Sequence, residues 1–274
     1  MKTPISYYGG KQNLIREILP LIPSHKQYVE PFIGGAAVLF AKRPSEHEVI
    51  NDFDNRLITF WKVLKYDFHS LQSRIRDTLH SESQYKESKH ILKNMSEYSD
   101  LDIAWAYWVN TQMAFSFKLL GGFAFEQTDG RVKLALNKKI QFTDRLRQRL
   151  QKVEIFNRDA IDLIKRKDSK NTFFYLDPPY AESDCGTYDK LKEVYYRLLD
   201  LLPSLKGKWL MSSYPSQQLT DLRKECGWHH KDIDQNLSVS GKHTIGKRKV
   251  ECLTYNYELN CKQQSIFDVI REVS

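Results

Sequence analysis

The first 65 residues alternate between short apolar runs and segments whose apolar positions fall on one face of a helix. Residues 11–22 have the one-sided apolar spacing of an amphipathic helix. Residues 27–43 predict a short strand, a glycine-containing loop and a helix from about Ala36. Residues 47–65 repeat this order, with an acidic turn between the strand and the helix. Strand–loop–helix units in series favour a parallel α/β sheet.

The pattern changes between residues 60 and 142. Residues 61–120 are polar and helix-like, and we expect their aromatic stretch, 105–117, to form the core of a helical region. Residues 121–137 alternate apolar and polar positions on both sides of Asp129-Gly130, a dipeptide typical of β-hairpin turns. This part of the chain therefore predicts helices followed by a hairpin.

From residue 143 the α/β rhythm resumes. The pattern predicts helices in 143–151 and 160–167, and strands in 152–159, 171–176, 208–214 and 250–259. We therefore predict one α/β core, formed by residues 1–59 and 143–274, which is interrupted by a helical and hairpin insertion at 60–142.

Charge changes this picture by indicating a partner. The chain carries 42 Lys and Arg against 34 Asp and Glu, a formal net charge of +8. Basic residues concentrate in 131–152 and again in 242–249, which predicts a polyanionic partner, with a solvated helix face or loop as the alternative for each cluster. The two clusters contain Arg131, Lys133, Lys138, Lys139, Arg145, Arg147, Arg149 and Lys152, and then Lys242, His243, Lys247, Arg248 and Lys249.

Several classes of protein are disfavoured. No apolar stretch approaches the ~18 residues of a membrane span, and the first residues lack the apolar region of a secretory signal. The four cysteines have no CxxC spacing and the eight histidines no metal-ligand spacing. We expect a cytoplasmic protein with reduced thiols and without a metal or a membrane partner.

The first candidate site is the turn after the strand at residues 27–30. Gly34 and Gly35 would let the backbone approach a ligand closely at a helix start. Asp52 ends the next strand, about where an acid meets ribose hydroxyls in nucleotide-binding βαβ units. A full GxGxxG is absent, which disfavours a pyrophosphate and fits an adenosine ligand. A tight turn with a surface aspartate is the alternative.

The second candidate site is Asp177-Pro178-Pro179-Tyr180, which follows a buried strand. Each proline fixes φ and removes an N–H, so the segment stiffly presents the Asp177 carboxylate and the Pro178 carbonyl. Two such acceptors can hold both hydrogens of an exocyclic amine and aim its lone pair at an electrophile. Tyr180 offers a face on which an extruded base can stack. A proline turn that closes a core strand is the alternative.

These two motifs, in this order and separated by a long insertion, resemble the Dam-like D12 class of DNA adenine-N6 methyltransferases. Tyr7-Tyr8-Gly9-Gly10-Lys11 resembles the aromatic-x-Gly-Gly-Lys element of that family, and Asn51-Asp52 matches its ribose position. Ala36 stands where the family often has the last glycine of FxGxG. The resemblance implies a Rossmann-like S-adenosylmethionine-dependent methyltransferase sheet of bacterial or phage origin, with residues 60–142 as the target-recognition, DNA-binding insertion.

The resemblance also implies a role for each matching residue. It assigns S-adenosylmethionine binding to Tyr7, Lys11, Phe32, Gly34, Asp52, Asp159 and Asp177, and catalysis to Asp177, Pro178 and Tyr180. Within this set, Asp159 is equally well placed to cap the helix that follows it. Double-stranded DNA is the expected partner, contacted by Arg131, Lys133, Lys138, Lys139, Lys247 and Arg248.

The function predicted is site-specific transfer of a methyl group from S-adenosylmethionine to N6 of a flipped-out adenine. Methylation of cytosine N4, RNA or a protein glutamine on the same scaffold stays open, although Asp177 favours adenine. A catalytically silent nucleic-acid-binding module and a nicotinamide-dependent oxidoreductase are further alternatives. The sequence leaves open the recognised site, the oligomeric state, and whether a cognate restriction endonuclease acts on the same site.

Overall fold

The computed structural model describes residues 1–125, 130–179, 188–236 and 248–259. Its strands are β1 (Gln27–Glu30), β2 (His47–Asn51), β3 (Val153–Phe156), β4 (Thr172–Leu176), β5 (Lys208–Ser213), β6 (His229–Asn236) and β7 (Arg248–Tyr255). Over the described residues they form a seven-stranded sheet in the order β3-β2-β1-β4-β5-β7-β6. The fold is α/β, as the sequence predicts.

The helices of the described ranges are α1 (Ile15–Ile18), α2 (Ala37–Ala41), α3 (Asn55–Tyr66), α4 (Phe68–Arg76), α5 (Glu82–Lys93), α6 (Asp100–Met113), α7 (Gly130–Gln141), α8 (Asp144–Leu150), α9 (Ala160–Lys167), α10 (Tyr188–Leu201) and α11 (Gln217–Cys226). The chain divides into two compact units. The first unit contains Met1–Ile15, Ile33–Pro44 and Glu48–Arg158, and the second contains Arg16–Phe32, Ser45–His47 and Asp159–Ser274. None of the described helices is long and apolar enough to cross a membrane.

Helix α6 lies at the centre of the first unit. Every residue from 103 to 113 is buried, and the helix packs against α3, α4, α5 and α7. Its start is fixed by a capping box, in which Ser99 accepts from the Asp102 N–H and Asp102 accepts from the Ser99 N–H. The aromatic stretch is therefore core, as predicted, except that Phe115 is 63% exposed just beyond the helix.

In the second unit, strand β4 is buried at all five positions. It pairs in parallel with β1 on one side and with β5 on the other. Strand β7 runs antiparallel to β5, and β6 runs antiparallel to β7. The carboxyl ends of β1, β4 and β5 therefore lie at one edge of the sheet, and the residue that follows β4 is Asp177.

The structure corrects two local predictions. Residues 11–22 form a 3₁₀ turn, the short helix α1 and a second 3₁₀ turn that contains Pro20, because proline cannot donate to a continuing α-helix. The predicted hairpin around Asp129-Gly130 is wrong on its second arm, since residues 130–141 form α7. Lys, Leu and Ala favour a helix there, and Ala135 and Phe142 are buried as the helix and its end pack inward. Residues 126–129 lie outside the described ranges.

A buried ion-pair cluster corrects the prediction that Arg149 belongs to a phosphate-binding surface. The Glu48 carboxylate accepts from Arg149 and from the Lys42 ammonium, and Arg149 also donates to the Leu39 carbonyl at 2.9 Å. The side chains of Arg149 and Glu48 are only 8% and 3% exposed. The two cations hold the pKa of Glu48 below its usual value although burial acts to raise it. Arg149 therefore has a structural role.

Candidate functional site

In the first unit, the turn after Phe32 is held against the end of β2. The Ile33 N–H donates to the Asn51 carbonyl at 2.9 Å, and the Gly34 N–H donates to Asp52 Oδ2 at 3.1 Å. Gly34 and Ala36 both have positive φ angles, 43° and 58°. Ala36 therefore adopts the left-handed conformation despite having a side chain, and helix α2 begins at the next residue. The predicted turn and the predicted acid are in direct contact.

The Asp52 carboxylate is ordered by backbone N–H donors. Besides the Gly34 N–H on Oδ2, the Asp54 N–H donates to Oδ1 at 3.0 Å. Burial raises the pKa of Asp52 to about 6, against the effect of these N–H bonds. Each carboxylate oxygen can accept more than one hydrogen bond, so Asp52 keeps acceptor capacity for ligand hydroxyls beside its backbone donors.

Tyr7 lies over the same turn. A Cβ placed on Gly34 would meet Tyr7 Cε1 at 2.9 Å, and one placed on Gly35 would meet Tyr7 Cβ at 2.8 Å. Glycine is therefore needed at both positions for the aromatic residue to approach so closely. The turn, Asp52 and Tyr7, three elements of the predicted cofactor site, come together in one unit.

The segment that carries Tyr7 is tied to its surroundings at several points. Lys11 is buried and its ammonium donates to the Gly9 carbonyl at 3.0 Å. The Gly10 N–H donates to the Tyr7 carbonyl at 3.0 Å. The Thr3 hydroxyl donates to the Gly35 carbonyl. The role of Lys11 toward a methionine carboxylate stays a prediction.

Two asparagines join the loops that follow β2 and β3. The Asn51 amide accepts from the Arg158 N–H at 3.0 Å and donates to the Arg158 carbonyl at 3.1 Å. The Asn157 amide donates to the carbonyls of Asp52 and Phe53 at 2.8 and 3.1 Å. Phe53 is 85% exposed beside Asp52. Sequence reasoning missed Asn157 and Phe53, although an aromatic residue directly after the ribose acid was a signal that could have been used.

In the second unit, β4 ends at Leu176, as predicted. Asp177 is half-buried and Pro178 is buried directly after the strand. Tyr175, which precedes Asp177 by two residues, is buried in the strand. Its burial, together with the charges of Asp177, Glu30 and Glu251, raises its pKa well above the usual value. Tyr180, the third predicted catalytic residue, lies outside the described ranges.

Asp159 and Phe32 also belong to the second unit. Asp159 caps α9, with its Oδ1 accepting from the Asp162 N–H at 3.0 Å. Its Oδ2 pairs with Arg197 Nη1 at 3.1 Å. The capping alternative is therefore confirmed, and contact with a cofactor adenine stays a prediction. Phe32 follows β1 in the sequence and is half-buried.

The predicted DNA-contacting residues of α7 have different environments. Lys133 is exposed. Lys138 donates to the carbonyls of Thr3 at 2.6 Å and Ile5 at 3.3 Å, and burial lowers its pKa to about 8. Lys139 donates to the carbonyls of Arg76 and Thr78.

The other predicted DNA contacts are described only in part. The structure describes the backbone of Arg131 at the start of α7 and of Arg248 at the start of β7. Lys247 lies outside the described ranges, as do Lys242 and His243. Their contacts with DNA stay predictions.

A search of the described residues for three or more converging His, Cys, Asp or Glu side chains finds none. Cys226 and Cys252 are free thiols, and burial raises the pKa of Cys252 to about 11.

Comparison with known proteins gives relatives of one kind. The chain is 38% identical over 63 residues to a DNA N-6-adenine-methyltransferase of Escherichia phage P1, covering 23% of this chain and 8% of that protein. It is 24% identical to the type II methyltransferase M.FokI of Planomicrobium okeanokoites, covering 94% of this chain and 43% of that one. It is 26% identical to the type II methyltransferase M1.LlaDCHI of Lactococcus lactis subsp. cremoris, covering 91% and 93%. The chain thus spans less than half the length of the first two relatives.

The family comparison covers most of the chain. The match to D12 class N6 adenine-specific DNA methyltransferases extends over residues 7–235, which include Tyr7, the Gly34 turn, Asp52 and Asp177. Most of the residues whose geometry is described above lie within the matched range. The chain belongs to the D12 class N6 adenine-specific DNA methyltransferase family.

Proposed function

We propose that this chain is a DNA methyltransferase that transfers a methyl group from S-adenosylmethionine to N6 of an adenine flipped out of duplex DNA. The observation that carries the proposal is the Gly34–Asp52 contact, in which a glycine turn orders a carboxylate next to an aromatic residue. This arrangement is suited to a nucleoside without a pyrophosphate. Membership of the family supports the same conclusion.

The residues present fit the adenosyl part of the cofactor. Asp52 would accept from the ribose hydroxyls, since both its oxygens retain acceptor capacity beside their backbone donors. Phe53, with its exposed ring next to Asp52, would pack against the adenine. Tyr7 and Gly34 would line the methionyl part, and Lys11 would pair with its carboxylate. Phe32, which belongs to the second unit, keeps the cofactor-binding role that the resemblance implies. Asp159 would accept from the adenine amino group.

S-adenosylmethionine supplies an electrophilic methyl group when it is bound. The chain's contribution is to orient the amine that receives it. Asp177 and the Pro178 carbonyl would accept the two N6 hydrogens, which favours a pyramidal nitrogen with its lone pair directed outward. Because both acceptors follow the fully buried strand β4, they stand on a rigid support. Asp177 holds the hydrogens before attack, and the proton is lost after the nitrogen is methylated. Tyr180 would stack on the extruded base.

Duplex DNA is the proposed substrate. Residues 60–142 would read the target site, and residues 1–59 and 143–274 would carry the chemistry. The exposed Lys133, together with Arg131 and the basic residues of 242–249, would neutralise phosphates. Type II methyltransferases among the relatives support a restriction-modification role, with a cognate endonuclease that cuts the same site.

The test is transfer of labelled methyl from S-adenosylmethionine to mixed-sequence duplex DNA, followed by digestion and identification of the nucleoside. The expected product is N6-methyl-2′-deoxyadenosine. Label on cytosine would replace adenine N6 by cytosine N4 as the target. Absence of label with intact cofactor binding would support a silent nucleic-acid-binding module.

A variant pair ties the activity to the proposed residues. Asp177→Ala is expected to lower kcat by about 10²–10³ or more, since it removes an acceptor of the reacting amine. Asp162→Ala removes an exposed carboxylate from the first turn of α9 and should leave the rate unchanged. Equal rates in the two variants would exclude Asp177 from catalysis.

A further inference from the structure

We propose that Lys138 is a positioning residue for the cofactor site and does not contact DNA phosphate. The proposal rests on the function proposed above and concerns the first compact unit alone. In this proposal α7, which carries Lys138, contacts the backbone that precedes Tyr7.

The Lys138 ammonium bridges two carbonyls of the amino-terminal segment. It donates to the Thr3 carbonyl at 2.6 Å and to the Ile5 carbonyl at 3.3 Å. Thr3 and Ile5 are themselves buried, at 7% and 0% exposure. The Lys138 ammonium is therefore directed toward the amino-terminal segment. A DNA phosphate could bind this ammonium only by drawing it away from the Thr3 and Ile5 carbonyls.

The same segment is also tied to the glycine turn. The Thr3 hydroxyl donates to the Gly35 carbonyl, so the same residue is held by α7 through its backbone and by the turn through its side chain. Ser6 is held by a third contact, since its hydroxyl donates to Gln112 Oε1 at 3.1 Å on α6. Residues 3–6 are therefore held by contacts with three elements, α7, the glycine turn and α6.

Tyr7 follows directly and lies closely against the glycine turn on one side, although it is 36% exposed. Its ring would lie 2.9 Å from a Cβ on Gly34 and its Cβ 2.8 Å from one on Gly35. A shift of the carbonyls of Thr3 or Ile5 would be passed to Tyr7 through at most four peptide units. Removing the Lys138 ammonium should therefore loosen the proposed cofactor pocket without altering any residue that lines it.

Lys139 offers a matched control. It is the next residue of α7, and its ammonium also donates to backbone carbonyls, those of Arg76 and Thr78. These carbonyls belong to the end of α4 and the residues after it, not to the segment of Tyr7. The two lysines share charge, helix and bonding pattern and differ in the segment that they hold.

The experiment compares Lys138→Met with Lys139→Met in the full chain. The dissociation constant for S-adenosylhomocysteine is measured by calorimetry without DNA, and duplex binding is measured as a function of salt. We expect Lys138→Met to weaken S-adenosylhomocysteine binding about tenfold, equivalent to about 1.4 kcal/mol. Its salt slope for DNA should equal that of the unmodified chain. Lys139→Met should bind S-adenosylhomocysteine within about twofold of the unmodified chain, by the same scale.

Opposite results would overturn the proposal. If Lys138→Met binds S-adenosylhomocysteine normally but lowers the DNA salt slope by about 0.9, Lys138 is a phosphate ligand. If it lowers only the melting temperature, its role is structural and the positioning role is wrong. Failure of the unmodified chain to bind S-adenosylhomocysteine would instead contradict the proposed function, so the two failures are distinguishable.

A second variant covers the case in which Lys138→Met does not fold. Thr3→Val keeps the shape of the side chain and removes the hydroxyl bond that holds the same segment to the Gly35 carbonyl. It should weaken S-adenosylhomocysteine binding in the same direction. Where Lys138→Met does fold, the two losses in the double variant should fall short of their sum, because both contacts hold one segment. Normal binding by Thr3→Val would contradict the proposal.

Discussion

The side-chain amide of Asn157 donates to the Asp52 carbonyl at 2.8 Å, which fixes the backbone of the proposed ribose acid from a loop 105 residues away in sequence. The same amide reaches the Phe53 carbonyl, and Asn51 returns the contact by binding both backbone groups of Arg158. The loops after β2 and β3 are therefore joined reciprocally. Asn157 should determine where Asp52 and Phe53 stand without touching the cofactor itself.

Replacing Asn157 by Ala is expected to raise the KM for S-adenosylmethionine about tenfold, because two carbonyl contacts worth about 1 kcal/mol each are lost. The kcat should change little, since no group near the amine is altered. Steady-state kinetics at saturating DNA measure both constants. Asn157→Asp should be worse than Ala, because a carboxylate would face two carbonyl oxygens. Asn137→Ala, an exposed asparagine of α7, is the control.

Cofactor binding should depend on pH through Asp52. Burial raises its pKa to about 6, so the carboxylate that we propose to accept ribose hydroxyls is present above that pH and is protonated below it. Affinity for S-adenosylhomocysteine should therefore fall as the pH is lowered from 8 to 5, with a midpoint near 6. Calorimetry across this range measures the effect. Asp52→Asn should bind weakly at every pH, and a retained midpoint in that variant would assign the titration to another group.

The same shift has a consequence for stability. Because the folded pKa of Asp52 lies above the ordinary value of 3.8, the folded chain binds this proton more tightly than the unfolded chain does. This group therefore destabilises the fold increasingly as the pH rises from about 4 to 6, and the cost is complete above pH 6.

The buried Glu48 cluster predicts a large stability loss. Arg149→Met would leave the Glu48 carboxylate with Lys42 alone and should lower the free energy of unfolding by about 3–5 kcal/mol. Urea unfolding measures this change. Arg147→Met removes the partner of Asp144 on the surface of α8 and should have little effect. Adding Glu48→Gln to Arg149→Met should recover part of the loss, and no recovery would exclude the unpaired charge as its cause.

Gly34 predicts a steric effect that another left-handed glycine should not share. Gly34→Ala would place Cβ 2.9 Å from the Tyr7 ring and should weaken S-adenosylhomocysteine binding severely. Gly227→Ala has a comparable φ of 66° with no atom within 4 Å of the added Cβ. It should cost only about 1–2 kcal/mol of stability and leave binding unchanged. Equal binding by both variants would show that contact with Tyr7 does not matter.

The salt dependence of DNA binding should separate Lys133 from Lys139. Lys133 is exposed, whereas Lys139 donates to the Arg76 and Thr78 carbonyls. Lys133→Met should reduce the slope of log K against log salt by about 0.9, the value for one phosphate contact. Lys139→Met should leave the slope unchanged. The reverse pattern would place the phosphate-binding surface on the other side of α7.

Sequence reasoning succeeded where local chemistry decides the structure. Strand β4 and its end at Leu176 follow from an apolar run that prolines terminate. It missed β6, whose residues 229–234 alternate between half-buried and exposed because the strand lies at the sheet edge and carries mostly polar side chains. It mistook α7 for a strand because the apolar positions in 132–136 alternate over too short a stretch to separate the two periods.

The site itself was only partly predictable. Gly34 and Asp52 could be paired because the βαβ spacing places a strand end beside a preceding turn. The partners of Lys138 are 135 and 133 residues away, so nothing local separates this lysine from its exposed neighbours in the same basic cluster. Charge alone could not distinguish an inward-facing ammonium from a surface one, because a lysine adds the same charge to the sequence in either position.

On the proposal that residues 60–142 read the target site, the burial of α6 on all sides bears on how DNA specificity can diverge within this family. Residues 103–113 of this central helix are all enclosed by α3, α4, α5 and α7, so packing leaves few of its positions free to vary. The outward faces of α5 and α7 can accumulate changes while α6 keeps the unit folded. New recognition sites are therefore expected to evolve by surface replacement around a constant helix, which also makes those faces the natural place to engineer specificity.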